Sequence, residues 1–332
     1  MDLDGAMTYD TNTLLHRFDF SYLYLGHASI GDRFSDGPGS AVYPVPEHPR
    51  LQNELYRLKM ACRDAQRGTP VFKVECEGVS YRVSTMDSAE GEVFVLRRLD
   101  NTVASLAELG VPLAYARRLM CADLSGLLIV SGAAKAGKTT TAGALVREQL
   151  FTHGGIGLTS ENPIELPLEG PHGDGICFQT AACADAVAGL RSMLSWGARM
   201  IFVGAMDEPA LALEMLLAGR DGHLLVTTMR AEDISAVVGR LHALVSQSLD
   251  VASVQALIAD GLAGVLHQRL ATGIGSTGST RKLETQLFML RDGETARHHV
   301  RQGHYSELAF EIRQQMRSMI HSDALAERLG RT

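Results

Sequence analysis

The chain is poor in cysteine, tryptophan and lysine: 332 residues hold five Cys, one Trp and only five Lys beside 26 Arg. Five cysteines is an odd number and no pair is spaced C-x-x-C, which excludes a disulfide framework or a zinc knuckle. Reduced thiols, mostly buried, are expected instead. Long apolar runs are also missing. Stretches such as Gly126–Val130 and Met200–Ala205 fall far short of the ~20 residues that a membrane span needs. The opening MDLDGAMTYD has neither the basic nor the apolar stretch of a secretory signal, so a cytoplasmic chain without a transmembrane segment is expected. Basic excess is absent too. A net charge of −7 argues against nonspecific nucleic-acid binding, and no direct nucleic-acid partner is expected. What is present is an ordinary folding composition, 45% hydrophobic and 21% charged, over a length that suggests two domains.

Residues 32–50, rich in Gly, Pro, Ser and Asp, read as an irregular loop. Leu51, Leu55, Leu58 and Cys62 then recur at helical spacing over Leu51–Gln66. Three strand-like runs follow, VFKVECEG, VSYRVSTM and EVFVLRRL, which with the helix make a small α+β domain over 1–105. The segment ending in Gly-Val-Pro gives a linker over 106–112. From 113 to 332 short apolar runs (GLLIVSG, GIGLTS, MIFVGA, HLLVTT) alternate with helical segments. That alternation predicts an α/β domain around a parallel-rich sheet covered on both faces. Ala271–Thr280 (ATGIGSTGST) reads as a flexible loop, and Tyr305 to Leu329 as a helical tail.

Gly132-Ala133-Ala134-Lys135-Ala136-Gly137-Lys138-Thr139 fits G-x-x-x-x-G-K-[ST] at every fixed position, between an apolar strand and a helix. Glycines let the backbone turn tightly and aim its N–H groups at phosphate oxygens, and the following helix adds its positive end. Gly132 through Thr140 is therefore the expected ATP- or GTP-binding segment. Lys138 would bridge the β- and γ-phosphates and the Thr139 hydroxyl would hold Mg²⁺. A second cluster, TSENPIE, places Glu161 and Glu165 after an apolar strand. Glu161 would polarise water or reach Mg²⁺ through a water; it would equally serve as a loop or capping acid before Pro163, and spacing leaves both open. A third strand, RMIFVGAMDE, ends on Ala205, and its nearest acids, Asp207 and Glu208, read as the exposed first turn of the next helix.

The order P-loop, TSENPIE, IFVGAMDEP, DGHLLVTTM and LHQRL resembles the secretion-motor ATPases of the PilT/GspE type, over roughly Tyr81 to Gly303. The resemblance implies a RecA-like P-loop ATPase domain preceded by a PAS-like N-terminal domain, with ATP and Mg²⁺ as cofactors. It implies a homo-hexamer at the inner membrane, recruited by a platform protein of a type IV pilus, type II secretion or conjugation machine. YRVSTMDSAEGEVFVLRRLDNTVASLAELGVP is similar to the end of the family's N-terminal domain, where Arg82 and Arg97 would face a nucleotide. ARHHVRQGH is similar to A-I-R-N-L-I-R-E-G of the retraction motors.

Departures from the family pattern are as informative. The Walker B glutamate is Ala205, the His-box histidine is Arg230, and the Asp-box aspartate is Asn162, while Glu161 and Glu165 remain. Binding should survive because the phosphate cradle is separate, but hydrolysis should be slow, with Glu161, Glu165, Arg82 and Arg97 as the remaining catalytic candidates. His223 matches a supporting position. His298 and His299, without ligand-like spacing, are expected at the surface, Cys177 and Cys183 in the interior, and Trp196 under the sheet.

Overall fold

The computed structural model describes residues 13–18, 20–36, 40–66, 68–99, 102–275 and 278–328. The chain divides into two compact units. The first comprises the chain to Thr102 with Pro163–Pro167, and the second Val103–Asn162 with Leu168–Thr332.

In the first unit, α1 (Leu14–Arg17), β1 (Tyr22–Leu25), β2 (Arg33–Ser35), β3 (Val42–Pro44) and α2 (Pro49–Ala65) precede β4 (Val71–Cys76), β5 (Val79–Ser88) and β6 (Gly91–Arg98). The six strands form one antiparallel sheet in the order β3-β2-β1-β6-β5-β4. The alternation read from VSYRVSTM appears in β5, where Val79, Tyr81 and Val83 are buried and their neighbours are not. Pro49 starts α2, a place where its missing N–H costs nothing. The face carrying Leu51, Leu55, Leu58 and Cys62 then packs into the core with Leu23, Leu25 and Leu96. Glu54, 1% exposed, accepts hydrogen bonds from the Leu14 and Leu15 amides at 3.2 and 2.7 Å, so a buried carboxylate ties α1 to α2. The expected loop at 32–50 holds the short strands β2 and β3. Three residues with an exposed face carry too little apolar period to stand out from Gly and Pro neighbours.

The second unit runs α3 (Leu113–Leu119), β7 (Gly126–Ser131), α4 (Lys138–His153), β8 (Gly155–Glu161), β9 (Gly170–His172), β10 (Gly175–Ala181) and α5 (Ala186–Leu194). It continues with β11 (Met200–Ala205), α6 (Pro209–Arg220), β12 (Leu224–Met229), α7 (Ile234–Val245), α8 (Val251–Gly261), β13 (Leu262–Gly275), β14 (Gly278–Met289), α9 (Glu294–Gln302) and α10 (Leu308–Arg328). Eight strands lie in the order β14-β13-β7-β12-β11-β8-β10-β9. The inner pairings are parallel, and β9 and β14 close the edges antiparallel. All six residues of β7 and of β12 are buried, as strands covered on both faces must be. Leu127, Ile129 and Leu158 join α6, α7 and α8 in one core. Gly157, beside Leu158, leaves room on the other face for Leu150 of α4, which would lie 2.7 Å from an added Cβ.

Four expectations are corrected here. Residues 106–112 belong to the second unit and are no free linker. Leu106 and Val111 are buried there, and the Leu106 amide donates to Glu148 of α4 at 2.6 Å. Ala271–Thr280 lies in the β13–β14 hairpin, paired to Gly275↔Gly278, with 276–277 outside the described residues. Twelve consecutive antiparallel pairs compensate a glycine-rich composition that favours loops. Trp196 is 54% exposed beyond the end of α5, and Cys183 is exposed while Cys177 is buried. Strand β10, unassigned from sequence, pairs in parallel with β8 along its whole length.

Candidate nucleotide-binding site

The site is built where β7 stops. Gly132 follows with φ +151°, and a Cβ there would sit 2.3 Å from the Gln268 carbonyl oxygen, so β13 approaches closer than any side chain permits. Gly137, at φ +81°, turns the chain left-handed into α4, and Lys135 holds φ +63°, a conformation uncommon outside glycine and typical of ligand loops. The loop is fastened from inside. The Ala136 amide donates to Ala133 O at 3.3 Å, and buried Gln268 donates from Nε2 to Ala136 O at 2.5 Å. Ser131 Oγ meets His267 Nδ1 at 3.1 Å at the foot of the loop.

Above this loop lies a cavity of about 450 Å³, bounded by Ala133–Ala136, Arg230 and Glu232 after β12, and His267 and Arg269 of β13. The unpaired first-turn amides of a helix favour an anion there, and α4 begins at Lys138. Lys138 Nζ donates to the Ala133 carbonyl at 2.6 Å. Its pKa is pushed down, first by partial burial and then by the Arg230 guanidinium. A cation held below its ordinary pKa beside a second cation marks a pocket short of negative charge, and phosphates would supply it. The Thr139 hydroxyl stands on the first turn of the same helix. These residues fit a nucleoside triphosphate with its divalent ion.

The other expected residues are spread wider. Glu161 ends β8 and is 4% exposed; its carboxylate accepts from Gln179 Nε2 at 3.3 Å. Its strand stands three places from β7, an offset of about 14 Å at ~4.8 Å per strand, before twist. Ala205 ends β11, whose Val203 pairs with Ser160, so a small side chain stands at the strand end beside that of Glu161. Asp207 is held by Arg240 at 2.8 Å, and Glu208 caps α6 without a side-chain hydrogen bond. Arg230, by contrast, follows β12, the strand adjacent to β7.

Arg82 and Arg97 lie in the first unit, directly opposite each other on β5 and β6. Arg82 forms an ion pair with Glu165, which groups with that unit. Lys73 of β4 stands opposite Arg82, making a row of three cations across three strands. Sequence reading overlooked Gln268 and His267 as parts of the loop's support. The available signal was a buried-type run, GVLHQRL, interrupted by polar residues that need partners.

The family model described as type II/IV secretion system protein matches residues 62–331. Type II secretion system protein E of Pseudomonas aeruginosa is 32% identical over 217 residues, 63% of this chain and 40% of that protein. Type II secretion system ATPase E of Vibrio cholerae is 30% identical over 213 residues, again 63% and 40%. The chain thus spans about 40% of the length of these curated relatives. Among solved structures, the ADP-bound pilus retraction motor PilT superposes with a TM-score of 0.75 at 20% identity, covering 91% of this chain and 88% of that one. The ATPase DotB of Legionella pneumophila gives 0.67 at 18% identity, covering 90% and 84%. These likenesses establish the RecA-like P-loop ATPase fold. With a family match running across most of its length, the chain belongs to the type II/IV secretion system protein family.

Proposed function

We propose that this chain is an ATP-binding motor subunit that powers a type IV pilus, type II secretion or conjugation-type machine as a homo-hexameric ring. The observation that carries this reading is the complete P-loop between β7 and α4, shaped by Gly132 and Gly137 and clamped by Gln268. In this reading the amides of Gly132–Thr140 cradle the phosphates and Lys138 leaves the Ala133 carbonyl to neutralise the β- and γ-phosphates. The Thr139 hydroxyl is the protein group that would hold Mg²⁺, which would supply positive charge to offset that of the phosphates. Arg230 adds a second positive charge beside Lys138. Glu161 orients the attacking water, while Arg82 and Arg97, with Glu165 paired to Arg82, present cations toward nucleotide held by a neighbouring copy. Closure around nucleotide then changes the angle between the units of one subunit, and the ring converts closure into movement. The chain would work in the cytoplasm, peripheral at the inner membrane, recruited by a platform protein. Among the described residues no helix is long and apolar enough to cross a membrane.

A second reading is favoured by Ala205. With no carboxylate at the end of β11, Asp207 tied to Arg240 and Glu208 exposed, the chain would bind ATP and turn it over slowly, as a structural or regulatory partner of an active motor. Both readings require nucleotide binding. Calorimetry of MgATP against wild type and Lys138→Ala should show binding in the first and none in the second; equal affinities would refute both.

A further inference from the structure

We infer that His299, His304 and Glu307 form a divalent transition-metal site, best suited to Zn²⁺, at the corner between α9 and α10. His299 was expected at the surface without ligand-like spacing, and the spacings of five and three to His304 and Glu307 match no familiar ligand motif. The fold joins them. Gly303 takes φ +74° after α9 and reverses the chain, and a further 3-10 turn, Tyr305–Glu307, brings the carboxylate back over the helix end. One ligand atom from each residue lies within 4.8 Å of the others.

The distances suit a small ion. Tetrahedral zinc with bonds of about 2.0–2.2 Å places neighbouring ligand atoms about 3.4 Å apart. Glu307 spans the corner: its Oε2 is 2.9 Å from His299 Nδ1 and its Oε1 is 3.9 Å from His304 Nδ1. The two distances run to different oxygens of the carboxylate, and rotation of the exposed His304 and Glu307 side chains would bring both imidazoles to the one oxygen that a single ion needs. His299 is 19% exposed, yet its Nδ1 is buried and lacks hydrogen-bond geometry to any partner, the nearby carboxylate included. An orphaned ring nitrogen facing a carboxylate and a second imidazole is poorly explained by an ion pair and well explained by a ligand lone pair.

The donor set selects the ion. Two imidazoles and one carboxylate are the borderline donors that suit zinc, and they carry too few oxygens for Mg²⁺ or Ca²⁺. Neutral imidazoles with one carboxylate leave the bound dication with a net charge of +1 and one position for water. The backbone of the corner is already pinned. His304 N donates to His299 O at 2.9 Å and Glu307 N to His304 O at 3.2 Å. Tyr305 packs edge-on against His242 of α7, with ring centroids 5.6 Å apart. Binding would lock the end of α9 to the start of α10, while Arg301 of α9 holds Asp260 of α8 at 2.5 Å. The ion's role is therefore structural, fixing the helical layer that covers the sheet.

The test is a Co²⁺ titration of the full, EDTA-stripped chain in excess Mg²⁺, followed by the visible d–d absorption of tetrahedral cobalt. One Co²⁺ per chain, displaced by one equivalent of Zn²⁺, is expected. His304→Ala, which removes an exposed side chain and should leave the fold intact, should weaken binding by more than about 100-fold, beyond what an outer-shell change costs. Glu307→Gln should weaken it as well, whereas His298→Ala and Lys138→Ala should bind as wild type does. Zn²⁺ should also raise the thermal midpoint of wild type and not of His304→Ala. Equal Co²⁺ affinity in wild type and His304→Ala, no stoichiometric site, or a sulfur-to-cobalt charge-transfer band from a cysteine would overturn the assignment.

Discussion

β11 ends on Ala205, a methyl group whose chemistry is limited. Alanine cannot accept a proton, orient a water or hold a metal-bound water. The acid one strand over is Glu161, buried at 4% exposure and hydrogen-bonded to Gln179. Losing one positioned general base costs ~10²–10⁴-fold, so the P-loop, the cations and Glu161 should sustain slow turnover. In phosphate-release assays Ala205→Glu should raise the rate, Glu161→Gln should abolish it, and Glu208→Gln should change little. Brisk wild-type turnover untouched by Glu161→Gln would mean the catalytic acid lies elsewhere. Arg230 and Lys138 show why residue-level reading was incomplete. The motif located Lys138, but only the strand order places Arg230 beside it, and strand order is a long-range property.

Elements of the second unit were legible where one period dominated. β7 and β12 are unbroken apolar runs and α4 follows a fixed motif, so these strands and this helix could be read directly. Elements whose partners do the work were not. The β13–β14 hairpin draws its stability from its ladder, and β10 from lying along β8, neither of which leaves a local signature. The contact between the P-loop and β13 gives the sharpest test at this scale. Gly132→Ala sets a methyl group against the Gln268 carbonyl at 2.3 Å, at a φ that alanine rarely adopts. It should lower stability by about 1–3 kcal/mol, seen as an earlier urea midpoint, and weaken MgATP binding because the loop must shift. A variant with unchanged midpoint and affinity would show that β13 yields easily.

On the scale of the whole molecule, the row Lys73, Arg82 and Arg97 is the feature that most needs an explanation. Like charges facing each other across strands repel, and Glu165 offsets only part of that charge. An anion brought by a second copy would relieve it. Light scattering with Mg²⁺ and a non-hydrolysable ATP analogue should therefore find a six-membered assembly, with Arg97→Ala shifting it toward smaller species. A wild-type chain that stays monomeric at high concentration with analogue would rule out self-assembly. Leu106 and Val111 look like linker residues in the sequence because their burial depends on partners far along the chain.

The five residues Pro163–Pro167 group with the first unit, although the chain on either side of them belongs to the second. The chain leaves the second unit one residue after Glu161, spends this pentapeptide in the first, and returns at Leu168. A gene shuffled at position 103 would carry the P-loop away without the neighbours of the pentapeptide, stranding Leu166, now 6% exposed, in water and Glu165 without Arg82. Exchanging the amino-terminal half between related chains should therefore preserve folding only when this short stitch is transplanted with that half.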